Sequence, residues 1–581
     1  MRINDVTLKV GGEAGSGILT VGHMFAKLMQ KSGLQVFLTN DYPSLIKGGH
    51  NTITVRANPQ RIYALTAGID ILIALDKKTV QEHYRELREG GALIYDSGKL
   101  KEEDVKLERP DVRKIGVPLS KIATEAGGDI FFNQAAMGAM LALLKMDLAK
   151  YDHMIEKAFG RKGADIVAKN KQVVRAGADH VRTNYPDPFG INVNPVQTDA
   201  RNLLINGNDA LCSGAVAAGV HLVAEYPMSP SSSVLHWMAA HAVKYNIVVK
   251  HTEDEIAAMN WLCGAGFAGV RCLTATSGGG FSLMNEALGN AGIAEIPCVI
   301  INDMRCGPST GLPTYTEQAD LRFALHASQG EFPRIVAMPG DAQEAFWMMV
   351  DVFNMADLVQ TPAIVLMDKY VAESVTTIPS IKAEQVRIDR GLLQTDAQMA
   401  EAANFKRHAL TPSGISPRCI PGQKNGIHVC SSYEHDETGY TSEEASMRIA
   451  QIDKRERKMR AISPLLYQPA FFGDQSSDLL VVSWGSSKGP VMEALKLLAA
   501  KGKSVRYMHI RYACPFAADT ISAALKRAKK SLIIEGNSEG QMRNFIREKT
   551  GLLIPELYRR YDGRPFEAEE VAAVIEERLL K

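Results

Sequence analysis

Three consecutive acidic residues, Glu253, Asp254 and Glu255, begin a mostly apolar stretch that continues to Gly269. Thr252 and Glu255 have the T-x-x-E spacing of a capping box, in which side chains bind the free backbone N–H groups at a helix start. The apolar stretch leaves almost no polar face, which predicts a helix buried on all sides. A carboxylate at the mouth of such a helix is either a cap or a group tuned for acid–base chemistry.

Hydroxyl groups and an arginine follow two other predicted strands. The segment YPMSPSSS places Ser229 and Ser231 among rigid prolines, where hydroxyls can hold a small anion, although the segment alone also predicts a turn and a helix cap. Arg305 follows the strand-like run IPCVIIND and can donate paired hydrogen bonds to a substrate carboxylate. An arginine in that position is also common as a solvent-facing or interface group.

Two glycine-rich turns bring the backbone close to a neighbouring group. The first, GGEAGSG, lies between a predicted strand and a helix, where backbone N–H groups can approach phosphates; its glycines include Gly12, Gly15 and Gly17. Its G-x-x-G-x-G order differs from the dinucleotide fingerprint and lacks the ending of a P-loop, so tight packing explains it equally well. The second turn, which closes a strand before a helix predicted to start at Phe281, consists of Gly278, Gly279 and Gly280.

Elements that would position these residues recur three times along the chain. A β-rich run, a turn of small residues and an apolar helical stretch begin at Val6, Leu203 and Leu479. Each predicts the first unit of an α/β domain, so we expect three doubly wound parallel sheets with ligand sites beyond the carboxyl ends of their strands. The predicted domains are 1–185, 202–375 and 478–581, separated by a linker at 186–201 and an extended connector at 376–477.

Composition limits the function classes. A chain of 581 residues with 46% hydrophobic and 23% charged residues is typical of a multidomain globular protein. Its net charge of +1 gives no electrostatic reason to expect nucleic acid or an anionic membrane as a partner. No apolar run has the length of a membrane span or the position of a signal peptide, so we expect a cytoplasmic protein.

Cysteine spacing argues against a metal centre in this chain. None of its eight cysteines forms a C-x-x-C pair, which argues against a zinc ribbon, a thioredoxin motif and a ferredoxin-type cluster. Most of them lie among apolar residues, so we expect small buried side chains.

Taken in order, these segments resemble the α subunit of the 2-oxoacid:ferredoxin oxidoreductases, in the form with a γ domain fused at its N-terminus. The likeness is greatest to the 2-oxoglutarate enzymes, and its most specific motif is GPSTGLPT. Other matching segments are KGGHNTITVR, YPMSPSSS, EDEIAAMNWLCGAG and TATSGGGFSLMNEALG. Departures from the family's usual residues occur at Ser16, Met228, Ser229, Gly279 and Cys306. Ser229 keeps a hydroxyl where the family has threonine, so we expect substrate binding to survive.

The resemblance implies a γ-type domain, a thiamine-pyrimidine-binding-type domain and a transketolase C-terminal-like domain. It also implies thiamine diphosphate as cofactor, because Glu255 matches the family's carboxylate that hydrogen-bonds the ring nitrogen N1′ of the aminopyrimidine. The second glycine turn, Gly278 to Gly280, would contact the cofactor. The carboxylate of the 2-oxoacid would be bound by Arg305, Ser229 and Ser231, and coenzyme A would lie near Gly12, Gly15 and Gly17.

Missing motifs indicate a partner chain. The sequence has no GDG motif for the Mg²⁺ of the diphosphate and no cysteine set for a [4Fe–4S] cluster, so the resemblance implies that a β subunit carries both. We expect an (αβ)2 assembly that decarboxylates a 2-oxoacid, chiefly 2-oxoglutarate, with CoA as co-substrate and ferredoxin as electron acceptor. Pyruvate and branched-chain acids remain alternative substrates. A non-catalytic scaffold and a dinucleotide-dependent dehydrogenase remain alternative functions.

Overall fold

The computed structural model describes residues 2–44, 49–198 and 201–581. The chain divides into two compact units. The N-terminal unit runs to Ile205 and includes Ser374–Ser380 and Glu567–Glu569, and the second unit contains most of the remaining chain. No helix in the described ranges is both long and apolar enough to span a lipid bilayer.

The N-terminal unit is built on a mixed sheet of eight strands. In spatial order these are Arg113–Val117, Leu87–Asp96, Ile69–Ala74, Val6–Glu13, His50–Asn58, Gln35–Asp41, Val375–Pro379 and Asn202–Asn206. The first four are parallel, whereas His50–Asn58 is antiparallel to both of its neighbours. Only residues 42–49 connect Gln35–Asp41 to His50–Asn58, and a parallel crossover needs about a dozen residues or more. The all-parallel sheet predicted for this domain is therefore wrong in this half.

Apolar helices pack on this sheet. They are Ile18–Lys31, Lys77–His83, Leu119–Glu125, Phe132–Leu143, Leu148–Phe159 and Ala164–Asn184, and the pair Arg2–Ile3 and Ile191–Asn192 forms a separate short parallel ladder. Glycines allow two of these helices to approach closely. A Cβ atom added at Gly138 would lie 2.0 Å from the Val174 carbonyl oxygen, and one added at Gly177 would lie 2.2 Å from that of Ala135.

The second unit contains the central sheet, whose strands are nearly all parallel. In spatial order they are Val248–His251, Leu222–Glu225, Cys272–Thr276, Cys298–Met304, Pro362–Asp368, Ile335–Ala337 and the antiparallel Tyr512–Cys514. Its helices are Gly207–Ala217, Ser232–Tyr245, Glu255–Phe267, Gly278–Leu283, Asn285–Ile293, Leu321–His326, Ala342–Val359 and Lys369–Glu373. Such a sheet presents ligand sites at the carboxyl ends of its strands.

A third sheet follows in the same unit. Its strands are Ala470–Gly473, Arg506–Ile510, Leu479–Trp484, Lys530–Glu535 and Glu556–Arg559, of which only the first is antiparallel. Its helices are Lys488–Ala500, Ala518–Arg527, Gln541–Thr550 and Ala568–Ile575. The buried Trp484 belongs to the same apolar core as residues of the central sheet. The predicted fold class, three α/β domains with mainly parallel sheets, is confirmed.

Two strands of the N-terminal sheet come from chain segments that flank the central sheet in sequence. The run at Leu203 is predicted to open the central domain, but Asn202–Asn206 lies at the edge of the N-terminal sheet. Val375–Pro379 pairs in antiparallel fashion with Gln35–Asp41 in that sheet. Strand propensity predicts both elements, yet it carries no information about which sheet they join.

The connector contains the helices Asp396–Glu401 and Ala445–Arg457 between long irregular segments. Buried ion pairs bind it to the central part of the second unit. Glu295, just after the helix Asn285–Ile293, lies 2.5 Å from Lys454 Nζ and 2.9 Å from Lys458 Nζ. Arg418 Nη2 lies 2.8 Å from Asp357 Oδ1. Long segments without regular structure are thus fixed by charged contacts in the interior.

Candidate active site

The helix Glu255–Phe267 starts at the acidic run. Its N-cap is Asp254, whose carboxylate accepts a hydrogen bond of 2.7 Å from the Ala257 N–H. Thr252 instead donates its hydroxyl to the Asp254 carbonyl oxygen, so the predicted capping box of Thr252 and Glu255 is wrong. Because the helix begins two residues later than that box requires, Glu255 is the first helical residue and its carboxyl group is free of capping.

The Glu255 carboxyl group is buried without a complete set of partners. The residue is 3% exposed, and within the described ranges its Oε1 atom has no hydrogen-bond partner. Buried polar atoms are nearly always hydrogen-bonded in folded proteins, so an orphaned oxygen calls for an explanation such as a ligand or a catalytic role. Burial raises the pKa of Glu255; a hydrogen bond from its own backbone N–H opposes this effect, and the Asp254 charge adds to it.

The second glycine turn lies directly against this carboxyl group. Gly278 to Gly280 form the first turn of the helix Gly278–Leu283, so the helix starts earlier than the predicted Phe281. A Cβ atom added at Gly280 would lie 2.1 Å from Thr276 Oγ1 and 2.3 Å from Glu255 Oε1. The structure therefore brings together two sequence-predicted elements, and Gly280 provides the space that the carboxyl group occupies.

Ser229 and Arg305 also lie together. Arg305 Nη1 donates a hydrogen bond of 2.7 Å to the Ser229 carbonyl oxygen, and Ser229 is exposed. Ser231 is fully buried and donates its hydroxyl to the Met228 carbonyl oxygen over 2.7 Å, so its proton already serves the loop. The loop reaches the glycine turn through Met228, whose sulfur lies 3.9 Å from Thr276 Oγ1.

Asp320 joins the arginine to the glycine turn, and the sequence analysis missed it. A Cβ atom at Gly278 would lie 2.8 Å from Asp320 Oδ2, which accepts a hydrogen bond of 3.0 Å from Asn302 Nδ2. Burial raises the pKa of Asp320, and the bond from Asn302 and the charge of Arg305 oppose that shift. The only signal in the sequence was the position of Asp320 after the specific GPSTGLPT motif.

Two further carboxyl groups at the carboxyl ends of strands also went unrecognised. Glu225 ends the strand Leu222–Glu225, and Asp303 lies near the end of Cys298–Met304. Burial raises the pKa of both far above the usual range, and for Glu225 the Asp303 charge adds to the effect.

The first glycine turn borders a separate cavity in the N-terminal unit. Gly15 and Gly17 have φ of 90° and 79° and line a cavity of about 620 Å³. Two lysines and three phenylalanines contribute to its wall: Lys99, Lys162, Phe131, Phe132 and Phe159. Gly12 lies behind the turn, where an added Cβ would meet Leu75 and Ser16 at 3.0 Å. Of the three predicted glycines, two border the cavity and the third serves packing.

The apolar composition of the Glu255 helix predicts burial on all sides, but the structure leaves one side of the helix exposed. Ala258, Met259 and Leu262 face the core, but Ile256 and Trp261 remain 49% and 44% exposed. A shallow apolar depression beside Trp261 is lined mainly by small residues of this helix, including Ala257, Gly264 and Ala268. Exposed apolar surface is a feature that protein-interaction sites share.

Three segments of the chain match known protein families. Residues 213–454 match the thiamine diphosphate-binding domain of pyruvate flavodoxin/ferredoxin oxidoreductases, 7–180 match the pyruvate ferredoxin/flavodoxin oxidoreductase domain, and 473–546 match the transketolase C-terminal domain. The 2-oxoacid:ferredoxin oxidoreductase 2 subunit alpha of Aeropyrum pernix is 31% identical, in an alignment that covers 98% of this chain and 97% of that one. The chain belongs to the 2-oxoacid:ferredoxin oxidoreductase α-subunit family.

Other members of the family extend the comparison. The 2-oxoglutarate oxidoreductase subunit KorA of Mycobacterium tuberculosis is 28% identical over 99% of this chain and 91% of its own. A solved 2-oxoglutarate:ferredoxin oxidoreductase from Magnetococcus marinus, with 2-oxoglutarate, coenzyme A and succinyl-CoA bound, has a TM-score of 0.92, with 31% identity and 99% coverage of both chains. The family and enzyme class predicted from the sequence motifs are confirmed.

The residues present in this α subunit fit the family's cofactor. A ligand with a ring nitrogen donor or acceptor requires a polar partner in the protein. The buried Glu255 Oε1 atom has no partner among the described residues, and Gly280 makes room for it. Both lie within the segment that matches the thiamine diphosphate-binding domain. Glu255 is accordingly a candidate to bind the aminopyrimidine, and Gly280 leaves room for its carboxyl group.

Gly280→Ala is expected to lower the activity of the α subunit with its partner by about tenfold or more, because a methyl group there must displace the Glu255 carboxyl and misplaced catalytic groups are costly. Gly190→Ala is the control, since its added Cβ meets no atom within 4 Å and Gly190 lies outside the cofactor domain. Initial rates of oxoacid-dependent viologen reduction measure both. Equal rates for the two variants would show that Gly280 does not position Glu255.

Proposed function

We propose that this α subunit, with a β subunit that carries Mg²⁺ and a [4Fe–4S] cluster, catalyses oxidative decarboxylation of 2-oxoglutarate to succinyl-CoA and reduces ferredoxin. The observation that carries the proposal is the buried Glu255 carboxyl, held against Gly280 in the thiamine diphosphate-binding domain. The choice of 2-oxoglutarate is supported by the substrate names of two full-length relatives. The direction of the reaction inside the cell depends on the potential of the ferredoxin.

Glu255 would act on the cofactor by proton transfer. When bound, thiamine diphosphate supplies the electron sink for loss of carbon dioxide. Its ring nitrogen would form a hydrogen bond with Glu255 Oε1. Because the pKa of the Glu255 carboxyl is raised, it lies closer to the pH at which the enzyme works. The residue can then hold a proton in one step and release it in another.

Arg305 would bind the carboxylate of the 2-oxoacid. Its guanidinium group has five N–H donors, and in the described part of the chain one of them is used, on the Ser229 carbonyl oxygen. This bond orients the remaining donors, and the exposed Ser229 hydroxyl lies on the same loop. Asp320 provides the counter-charge that keeps the arginine in place.

Arg305→Gln is expected to raise the KM for 2-oxoglutarate about tenfold or more, because a charged hydrogen bond contributes about 1.5–3 kcal/mol. The exposed Arg460→Gln serves as control for the loss of one positive charge. Steady-state kinetics of the reconstituted complex with 2-oxoglutarate and pyruvate provide the measurement. An unchanged KM would remove Arg305 from the substrate site, and a higher kcat/KM for pyruvate would overturn the assignment of 2-oxoglutarate.

The cavity of the N-terminal unit would bind coenzyme A. Lysines 99 and 162 supply positive charge for its phosphates, and the phenylalanine rings supply apolar surface for its adenine. Lys162 Nζ lies 5.7 Å from the centre of the Phe159 ring, so the charge and the ring occupy one wall. The backbone N–H groups of the turn at Gly15 and Gly17 are available to phosphate oxygens.

Lys162→Ala is expected to raise the KM for CoA about fivefold, because it removes one charge-assisted contact to a phosphate. The exposed Lys114→Ala in the same unit is the control. The KM for 2-oxoglutarate should stay constant in both variants. If Lys162→Ala leaves the KM for CoA unchanged, this cavity is not the CoA site.

The β subunit would cover the exposed apolar side of the Glu255 helix. The small residues Ala257, Gly264 and Ala268 allow another backbone to approach closely, and Trp261 offers a large apolar side chain. Both features are common in the centres of protein interfaces. We infer an (αβ)2 assembly in which the β subunit completes the cofactor site from this side.

A further inference from the structure

Two histidines and a glutamate meet at one end of the N-terminal sheet. His50 begins the strand His50–Asn58, and Glu82 and His83 end the helix Lys77–His83. The Nε2 atoms of the two histidines are 2.8 Å apart, and Glu82 Oε2 lies 3.7 Å from His50 Nε2. Ligands of a tetrahedral ion are roughly 3.3 Å apart when bound at about 2.0–2.2 Å. Small side-chain rotations would therefore place all three around one ion.

The second ring nitrogen of His83 is already oriented as metal-binding histidines require. His83 Nδ1 lies 2.5 Å from Glu86 Oε1, and Lys9 forms an ion pair with the same carboxylate. A carboxylate that holds Nδ1–H leaves the lone pair on Nε2, which is the usual arrangement of a carboxylate, a histidine and a metal ion.

The contact between the two histidines needs one proton that a metal ion can replace. With the proton of His83 on Nδ1, the 2.8 Å contact requires His50 to donate from Nε2. A divalent ion would release this single proton and bind both lone pairs.

We propose that His50, His83 and Glu82 bind a divalent transition-metal ion of the Zn²⁺ class in the N-terminal unit. Two imidazole nitrogens and one carboxylate favour zinc, cobalt, nickel or iron over magnesium or calcium, which prefer oxygen ligands. Glu82 is 46% exposed at its side chain, so the ion has access from solvent and one coordination position remains for water. Among the described residues, no other three side chains of this kind bring their ligand atoms so close together.

The site has a mechanical consequence for the neighbouring glycine turn. His50 pairs in register with Glu13, the last residue of the strand Val6–Glu13, and a Cβ atom at Gly11 would lie 3.3 Å from His50 Cε1. A bound ion would join this strand end to the helix Lys77–His83. It would thereby fix the start of the turn that leads to the cavity at Gly15.

Titration of the chelator-treated full-length chain with Co²⁺ tests the proposal. We expect one Co²⁺ per chain with the strong visible absorption of a four-coordinate site, and displacement of that absorption by Zn²⁺. His83→Gln should weaken Co²⁺ binding about 100-fold or more, and Glu86→Gln should weaken it about 10- to 100-fold through the ligand it orients. The exposed His153→Gln in the same unit should leave it unchanged.

Circular dichroism and melting of the metal-free variants show whether they fold. A weak six-coordinate spectrum in the wild type, or an undiminished spectrum in a folded His83→Gln chain, would overturn the proposal. Because the signal comes from the ion, the result is independent of oxoacid turnover. A chain that binds Co²⁺ here but shows no oxoacid turnover when reconstituted with its β subunit would refute the proposed function alone.

Discussion

Glu255→Gln is expected to lower the rate of 2-oxoglutarate-dependent viologen reduction by the reconstituted complex by about 1,000-fold, within the range of about 10²–10⁴ typical of general acid–base groups. Glutamine has the same size and fits the space left by Gly280, but it cannot exchange a proton with the cofactor's ring nitrogen. The measurement is the initial rate at saturating 2-oxoglutarate and CoA. The helix should remain intact because Asp254 provides its cap.

The exposed neighbour Glu253→Gln is the matched control, since it removes the same charge one turn outside the buried site. Full activity of Glu255→Gln would contradict the catalytic role and favour the scaffold function, in which this chain supports chemistry carried out elsewhere. Formation of NADH without ferredoxin would instead favour the dinucleotide-dependent dehydrogenase. Loss of activity in Glu255→Gln alone supports the proposed enzyme.

Glu295→Gln is expected to destabilise the chain by about 3–5 kcal/mol, because it leaves the two buried ammonium groups of Lys454 and Lys458 without their shared counter-charge. Burial opposes ionisation of Glu295, but Lys458 and Lys454 outweigh it and hold its pKa well below the usual range. A depressed folded-state pKa stabilises the protein above the unfolded value of about 4.3. The stabilisation is lost as the pH falls through the folded-state pKa.

Urea denaturation followed by circular dichroism measures this loss, with the exposed Glu443→Gln as control. A variant with methionine at all three positions should recover much of the stability, because apolar residues of similar volume can replace a buried ion pair. If Glu295→Gln melts like the wild type, the network does not hold the connector. A triple methionine variant less stable than Glu295→Gln would equally contradict the explanation.

The sequence predicted the helix and the turn that carry the site residues better than it predicted the contacts around them. Periodicity and turn residues placed Glu255 at a helix start and Gly280 after a strand, and the structure brings them together. The capping role of Thr252 was wrong because a helix start shifted by two residues transfers the cap to Asp254. Local patterns locate helix ends only to within a few residues.

Long-range contacts account for what the sequence could not predict. Asp320 and Asn302 are 18 positions apart and meet only because a loop returns to the end of the strand Cys298–Met304. Likewise, Lys454 and Lys458 lie in the charged run KRERKMR, and nothing in that run indicates that Glu295 lies beside them. Composition gives the charge of a residue but not the partner that the tertiary fold supplies.

The strands Asn202–Asn206 and Val375–Pro379 have a consequence for attempts to divide this chain into separate polypeptides. A cut in the segment that precedes Asn202 would leave the first fragment short of two of its eight strands, exposing the unpaired edge of Gln35–Asp41. When both halves are co-expressed, the second half should therefore supply the two missing strands to the first. The first half produced alone should aggregate. The N-terminal sheet thus depends on chain segments from both sides of any such cut.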